Sequence, residues 1–421
     1  MNTPLTALVL SGGGARAAYQ VGVLKALNCL RRDALGSART HGNPFDIFIG
    51  TSAGAINSAA LACRADAFDD AVGLLCQVWS NFHAEQVYRT DSLGVICSGA
   101  QWLTVLSLGW VLARWRHAKP RSLLNNAPLA ELVQRLVPME RLPDMLAAGH
   151  LHALALTASS YSTGEHVTFY CAREAIKPWM RTQRHGVPSQ LNHDHLLASS
   201  AIPFIFPACN IQHDDYGGWY GDGSMRQSAP LAPAVHLGAQ RLLVIGAGRM
   251  HEPAIKRASD PRYPSVAHIA GHALSSIFLD ALAVDIERLA RINRTLSLLP
   301  PSALANTPLR PVDFLVIAPS QRLDDIAARH LDALPGPVRG LLRGAGVGKA
   351  GPQVQGSALA SYLLFEAPYT RELMALGEAD TLARKEEVNR FFGWVNAPAA
   401  ASCDSEFACK EGEARDRAHY S

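Results

Sequence analysis

A serine between glycines, in Gly50-Thr51-Ser52-Ala53-Gly54, and an aspartate between glycines, in Gly221-Asp222-Gly223, are the residues best placed for covalent chemistry. Flanking glycines permit a sharp, strained turn without a Cβ clash, which exposes the serine hydroxyl. The apolar run ahead of it, Phe45 to Ile49, reads as a buried strand, and the small residues from Ala55 to Cys63 read as a helix. Such a helix aims its first amides and the positive end of its dipole at the hydroxyl, favouring a developing oxyanion. The string alone also suits a serine that merely caps a helix, and the strand directly before it favours the nucleophile. An aspartate between glycines is most often a turn residue. Its functional reading is a carboxylate that takes the proton of Ser52.

A second glycine cluster, Ser11-Gly12-Gly13-Gly14-Ala15-Arg16, follows the apolar run Ala7 to Leu10. Consecutive glycines leave their amides free to form a nest for an anion, as an acyl-transfer intermediate requires. Arg16, one turn into the following helix, stands where it orients the loop or complements its charge. The same segment also fits a loose dinucleotide fingerprint, Gly12-x-Gly14-x-x-Ala17. That alternative needs an acidic residue about twenty positions on, at the end of the next strand. The nearest is Asp33, in a segment unlike a strand. The phosphate-loop pattern ending in Gly-Lys-Ser/Thr is absent. A histidine-based triad in the order of α/β-hydrolases requires an imidazole after Asp222. His236, His268 and His272 are available, but each sits in a helical run rather than a glycine-flanked loop.

Two strand, glycine-turn, helix units within the first sixty or so residues predict a mostly parallel sheet flanked by helices. Ala15 to Leu30 is the first helix. Further strands are expected at Ala153–Ser159, Val167–Tyr170, Arg241–Gly246 and Asp313–Ala318. An amphipathic helix is expected from Ser265 to Leu298, then a proline linker at Leu299-Pro300-Pro301. From Leu323 to Val395, short helices alternate with Gly/Pro breaks. The expected organisation is a catalytic region over 5–240, an extension over 241–395 that completes the α/β core and adds helices, and a disordered tail over 396–421.

The 421 residues are 48% hydrophobic and 18% charged, which supports a large core and excludes a chain disordered throughout. A net charge of +3 gives no clustered basic face, so no nucleic-acid partner is expected. The eight cysteines contain no CxxC pair, which points to a reducing compartment and no structural metal. The N-terminus lacks the basic and long apolar regions of a cleaved signal, so a cytoplasmic location is expected. Ser92 to Ala113 carries no charge and is followed by Arg114, Arg116, Lys119 and Arg121. Three readings stay open for it: a buried or groove-lining helix pair, a membrane-docking segment, or a transmembrane span.

Four segments in this order resemble the patatin-like phospholipase family: Ser11–Arg16, Gly50–Ala55, Ala198–Pro207 and Asp222–Ser224. The resemblance spans about residues 5 to 236. It implies an acyl-ester hydrolase of phospholipids or other lipids, with Ser52 as nucleophile and Asp222 as base. It also implies an oxyanion hole from Gly12, Gly13 and Gly14 with Arg16 alongside, and neither cofactor nor metal. Gly50, Gly54 and Gly223 are the motif glycines, and Ala198–Pro207 has a structural role. The family more often has Asp-Gly-Gly or Asp-Gly-Ala where this chain has Asp222-Gly223-Ser224. A lipid substrate further implies contact with a membrane surface, with 92–113 as the candidate segment.

Overall fold

The structure is a computed structural model that describes residues 4–36, 42–90, 122–250, 263–350 and 353–394. The 92–113 stretch and the 396–421 tail therefore lie outside the described residues. Apolar, β-branched and small residues build the first strands. These are β1 (Thr6–Leu10), β2 (Ile47–Thr51), β3 (Ala153–Ser160) and β4 (His166–Ala172). β5 (Trp179–Arg181), β6 (Arg184–Pro188), β7 (Cys209–Ile211) and β8 (Gly218–Asp222) are more polar, and β5 and β7 are only three residues long. β9 (Arg241–Ile245) and β10 (Asp313–Ile317) complete a ten-stranded sheet among the described residues.

The main path runs β10-β9-β1-β2-β3-β4-β6-β5, with β8 paired to β3 and β7 to β8. From β10 to β3 all neighbours are parallel, while β4 and β8 both run antiparallel to β3. Every residue of β1, β2 and β3 is buried, as a parallel sheet covered on both faces demands. Side chains alternate between two cores. Leu8, Leu10, Phe48, Leu154 and Leu156 enter the larger one. Ala7, Val9, Ile47, Ile49 and Ala155 enter the core on the opposite face. Each fully buried leucine or phenylalanine contributes roughly 1.5–3 kcal/mol of hydrophobic stabilisation.

A 3-10 turn (Gly14–Ala17) leads from the first glycine loop into α1 (Ala18–Leu35), and α2 (Ala53–Ala62) follows β2 directly. α1 packs along the helix Ala367–Leu382, so the C-terminal region covers the helix that starts beside the glycine loop. The expected helix from Ser265 is present but interrupted. Val266–Ser275 and Ala281–Ser297 are joined by a π-turn at Ser276–Asp280. By length and hydropathy this run is the one described helix able to cross a membrane. Its Leu274, Phe278, Leu282 and Leu289 are buried in the protein core. The proline linker is shorter than expected, because Pro301 opens a helix, Pro301–Ala305, as proline readily does in a first turn.

Candidate active site

Ser52 stands between the last residue of β2 and the first of α2, with φ 56° and ψ −130°. A side chain in this region is strained, and the surroundings must hold it there. They do so at close range. A Cβ on Gly54 would lie 2.5 Å from the Leu10 carbonyl oxygen, and one on Gly50 2.4 Å from the Ala55 Cα. Only glycine lets α2 start this near β1. The Ser52 amide donates to Ser199 Oγ at 2.9 Å, and the residue is almost wholly buried.

Asp222 ends β8, and one strand brings it to Ser52. On β3, Thr157 lies opposite Thr51 of β2, and the next residue, Ala158, lies opposite Asp222. The side chains of Thr51 and Thr157 share a hydrogen bond of 2.8 Å, and Gln227 donates to Thr51 Oγ1 at 2.9 Å. The segment beginning at Ala198 clamps the same turn. The Asp222 amide donates to the Ala201 carbonyl at 3.0 Å and the Gly223 amide to the Ser199 carbonyl at 3.2 Å. A Cβ on Gly223 would stand 2.2 Å from the Thr157 carbonyl oxygen, so this strand-to-turn approach requires glycine.

The Asp222 carboxyl is fully buried, and that burial pushes its pKa up to about 6. The Ser52 hydroxyl and the amide and hydroxyl of Ser224 oppose the rise. Asp222 Oδ1 accepts the Ser224 amide at 2.8 Å, while Oδ2 and Ser224 Oγ make no hydrogen bond of ordinary geometry. Ser52 therefore acts on the carboxylate from close by without a well-formed hydrogen bond. Ser224, the departure from the family's usual third residue, fits closely: its Oγ occupies the space a Cβ on Gly12 would need, 2.3 Å away.

The amides of Gly12 and Gly13 donate to no acceptor among the described residues. Gly14 has φ +55°, and a Cβ there would meet the Tyr362 carbonyl oxygen at 2.4 Å. Arg16, expected alongside the oxyanion hole to orient the glycine loop or complement its charge, turns its guanidinium to the C-terminal region. Its Nε donates to Ser361 Oγ at 2.8 Å, its Nη2 pairs with Asp324, and its guanidinium lies 4.0 Å over the Tyr362 ring. A buried cation must be paired, and these partners all come from the C-terminal region. Arg16 braces the base of the glycine loop.

An apolar pocket reaches Ser52. Gly14, Ser52, Ala53 and Ile202 meet Trp79, Phe82, Leu129 and Phe206 there, around an empty volume of about 530 Å³ counting its mouth. None of the histidines considered for a triad joins the site. His236 stacks on Trp179 with ring centres 4.7 Å apart, and His268 and His272 are exposed. Asp33 lies exposed on α1 rather than at a strand end, which the dinucleotide alternative required. Among the described residues no group of three or more His, Cys, Asp or Glu side chains is arranged to hold a metal.

Ser199, Thr157 and Gln227 were not identified from sequence, and neither were Arg16's partners Asp324, Ser361 and Tyr362. Only the Ala198–Pro207 segment carried a signal, and its structural role there is concrete: it holds both Ser52 and Asp222 by hydrogen bonds. A family profile described as patatin-like phospholipase matches residues 8–235. No curated protein sequence matches the chain. Among solved structures, VipD from Legionella pneumophila is 12% identical, with 89% of this chain and 67% of that one covered and a TM-score of 0.31. Human GIVD cytosolic phospholipase A2, in complex with methyl gamma-linolenyl fluorophosphonate and terbium chloride, is 13% identical. Coverage there is 93% of this chain but 59% of that one, with a TM-score of 0.38. ExoU from Pseudomonas aeruginosa, in complex with SpcU, is 15% identical over 89% and 71%, with a TM-score of 0.23. Likenesses this distant carry no weight beside the profile, whose matched residues run from β1 to the helix after Asp222 and make up more than half of the chain. On that ground the chain belongs to the patatin-like phospholipase family.

Proposed function

We propose that the protein hydrolyses fatty-acyl esters of phospholipids or related lipids through a dyad of Ser52 and Asp222. The observation that carries this reading is the meeting, at one strained serine, of an apolar pocket and a buried carboxylate whose pKa lies near 6. An ordinary aspartate, with a pKa near 4, is a poor base for a hydroxyl, and burial improves it. Ser52 Oγ attacks the ester carbonyl carbon as its proton passes to Asp222. The amides of Gly12 and Gly13 receive the oxyanion. Collapse of the tetrahedral intermediate expels the alcohol or lysophospholipid, which takes the proton from Asp222, and leaves the acyl group on Ser52. Water then gives a proton to Asp222 and attacks the acyl-enzyme. The fatty acid departs as Ser52 regains its proton.

The test combines fluorophosphonate labelling with turnover of p-nitrophenyl acyl esters and phosphatidylcholine. Wild type should label and turn over; Ser52→Ala should do neither, and Asp222→Asn should lose turnover by about a thousand-fold or more. Labelling that survives Ser52→Ala overturns the nucleophile, and full activity in Asp222→Asn overturns the base. We also propose a peripheral position at the inner face of a membrane, because the substrate is insoluble. Deleting 92–113 should then weaken sedimentation with liposomes, and unchanged sedimentation removes that segment from the proposal.

A further inference from the structure

A second pocket lies on the face of the sheet away from the one that opens to Ser52. His166, Thr168 and Tyr170 alternate on one side of β4, and Tyr170 belongs to the smaller core, against which Trp179 packs. The pocket is lined by His166, Thr168, Trp179, Arg181, Arg184 and His236, together with small residues between 229 and 233. Its empty volume is about 460 Å³ counting its mouth. Trp179 is locked as a wall. Its indole stacks between Tyr170 at 5.0 Å and His236 at 4.7 Å, over Gly186, where a Cβ would come within 2.1 Å of the ring.

The charge in this pocket is one-sided. No carboxylate lines it, and neither Arg181 nor Arg184 has an acidic partner among the described residues. Asp285 is near enough to feel Arg184, but it accepts the Leu231 amide at 2.9 Å and pairs with Arg288 at 3.4 Å. Glu165 pairs with His185 at 3.1 Å. His166 is 3% exposed, and its Nε2 has no hydrogen-bond partner. Burial holds its pKa down to about 4, against the opposing pull of a hydrogen bond to the Gly223 backbone, and the positive charge of Arg184 adds a smaller lowering. Burial and both arginines likewise lower that of His236.

We propose that this pocket binds a phosphate-class oxyanion, either a soluble phosphate monoester or the phosphate of a lipid headgroup. A guanidinium fork matches phosphate oxygens in a bidentate manner, and two without an acidic partner beside a low-dielectric wall concentrate positive potential, Arg181 donating, among the described residues, only to the Met180 carbonyl at 2.9 Å. The Thr168 hydroxyl and the His166 ring supply further polar contacts from the floor. The volume holds the phosphate with part of the group it is attached to. The assignment does not depend on Ser52 being a nucleophile.

Titration calorimetry of the full chain with orthophosphate and glycerol 3-phosphate, in chloride buffer of fixed ionic strength, tests the site. One-site saturable binding is expected, with loss of affinity of about ten-fold or more in the double variant Arg181→Gln/Arg184→Gln. The His166 ring signals should shift on adding phosphate to the wild type at constant pH. Circular dichroism melts establish that the variant is folded. A second arm sediments the protein with phosphatidylcholine vesicles, with and without phosphatidic acid. Acid-dependent sedimentation lost in the variant assigns a lipid headgroup. Phosphate binding lost in the variant, with sedimentation unchanged, assigns a soluble ligand. Equal binding of every probe by wild type and variant, or no saturable binding of either soluble probe and no acid-dependent sedimentation, overturns the proposal.

Discussion

At Asp222, burial and hydrogen bonding pull the carboxyl in opposite directions, and burial wins, leaving its pKa near 6. Two outcomes follow. As the proton acceptor, Asp222 must be ionised, so kcat/KM should rise with pH through a limb near 6 and flatten above it. A pH profile on a p-nitrophenyl ester measures this, and a limb near 4 would show that the carboxylate is better solvated than its burial indicates. Stability should move the other way. The folded state holds the proton more tightly than the unfolded chain, whose aspartate titrates near 4. Stability contributed by this group is therefore present below about 4 and lost as pH rises through about 6. Thermal melts of Asp222→Asn should accordingly equal or exceed the wild-type Tm at pH 8, with the difference shrinking below pH 5. The same opposition makes the residue legible only in part from sequence. Its glycine flanks were visible, but the depth of its burial was not.

Among the elements, β3 and the helix His193–Ser199 do the positioning. Ser199 at the end of that helix accepts the Ser52 amide through its side chain and the Gly223 amide through its carbonyl, so one residue ties both halves of the proposed dyad together. Ser199→Ala should lower kcat by about ten-fold with little change in KM, and cost about 1–3 kcal/mol in urea denaturation, because a buried amide loses its acceptor. A change confined to KM would assign Ser199 to substrate binding instead. Gly54→Ala should be more damaging to folding, since the added carbon would meet the Leu10 carbonyl at 2.5 Å. Reduced soluble yield and a lowered Tm are the expected readouts. Strands β1, β2, β3 and β9 announce themselves as apolar runs because both their faces are buried, and the edge strand β10 does so with one face buried and the other half-covered. β5, β7 and β8 do not: three to five residues with polar and glycine-rich character have no periodicity strong enough to show.

Across the full chain, the region past the family's matched span is part of the machinery that holds the glycine loop. β9 pairs with β1 and β10 with β9, and Arg16 beneath the loop is neutralised by Asp324. Removing that partner leaves a buried guanidinium uncompensated. Asp324→Ala should therefore destabilise the protein by about 2–4 kcal/mol in urea denaturation and reduce kcat, whereas Asp332→Ala, at an exposed ion pair, should change stability by less than about 1 kcal/mol. Equal effects of the two substitutions would remove Arg16 from its bracing role.

By itself the chain's order of residues determined the motif of the proposed nucleophile, the glycine loop, the aspartate between glycines and the apolar runs of a covered sheet. These are local signals: a turn needs glycine where it is made, and a buried strand is apolar along its own length. Only the tertiary structure decided that Thr157 and Ala158 set Ser52 and Asp222 side by side, that Ser199 bridges them, and that Arg16 faces the C-terminal region instead of the oxyanion. Such pairings join residues separated by a hundred to three hundred positions, and no spacing along the chain encodes which of many equivalent serines or aspartates will meet. For Ser52 the motif named the residue, and the packing around it supplied the strained backbone, the buried carboxyl of Asp222 and the apolar pocket on which its proposed role as nucleophile rests.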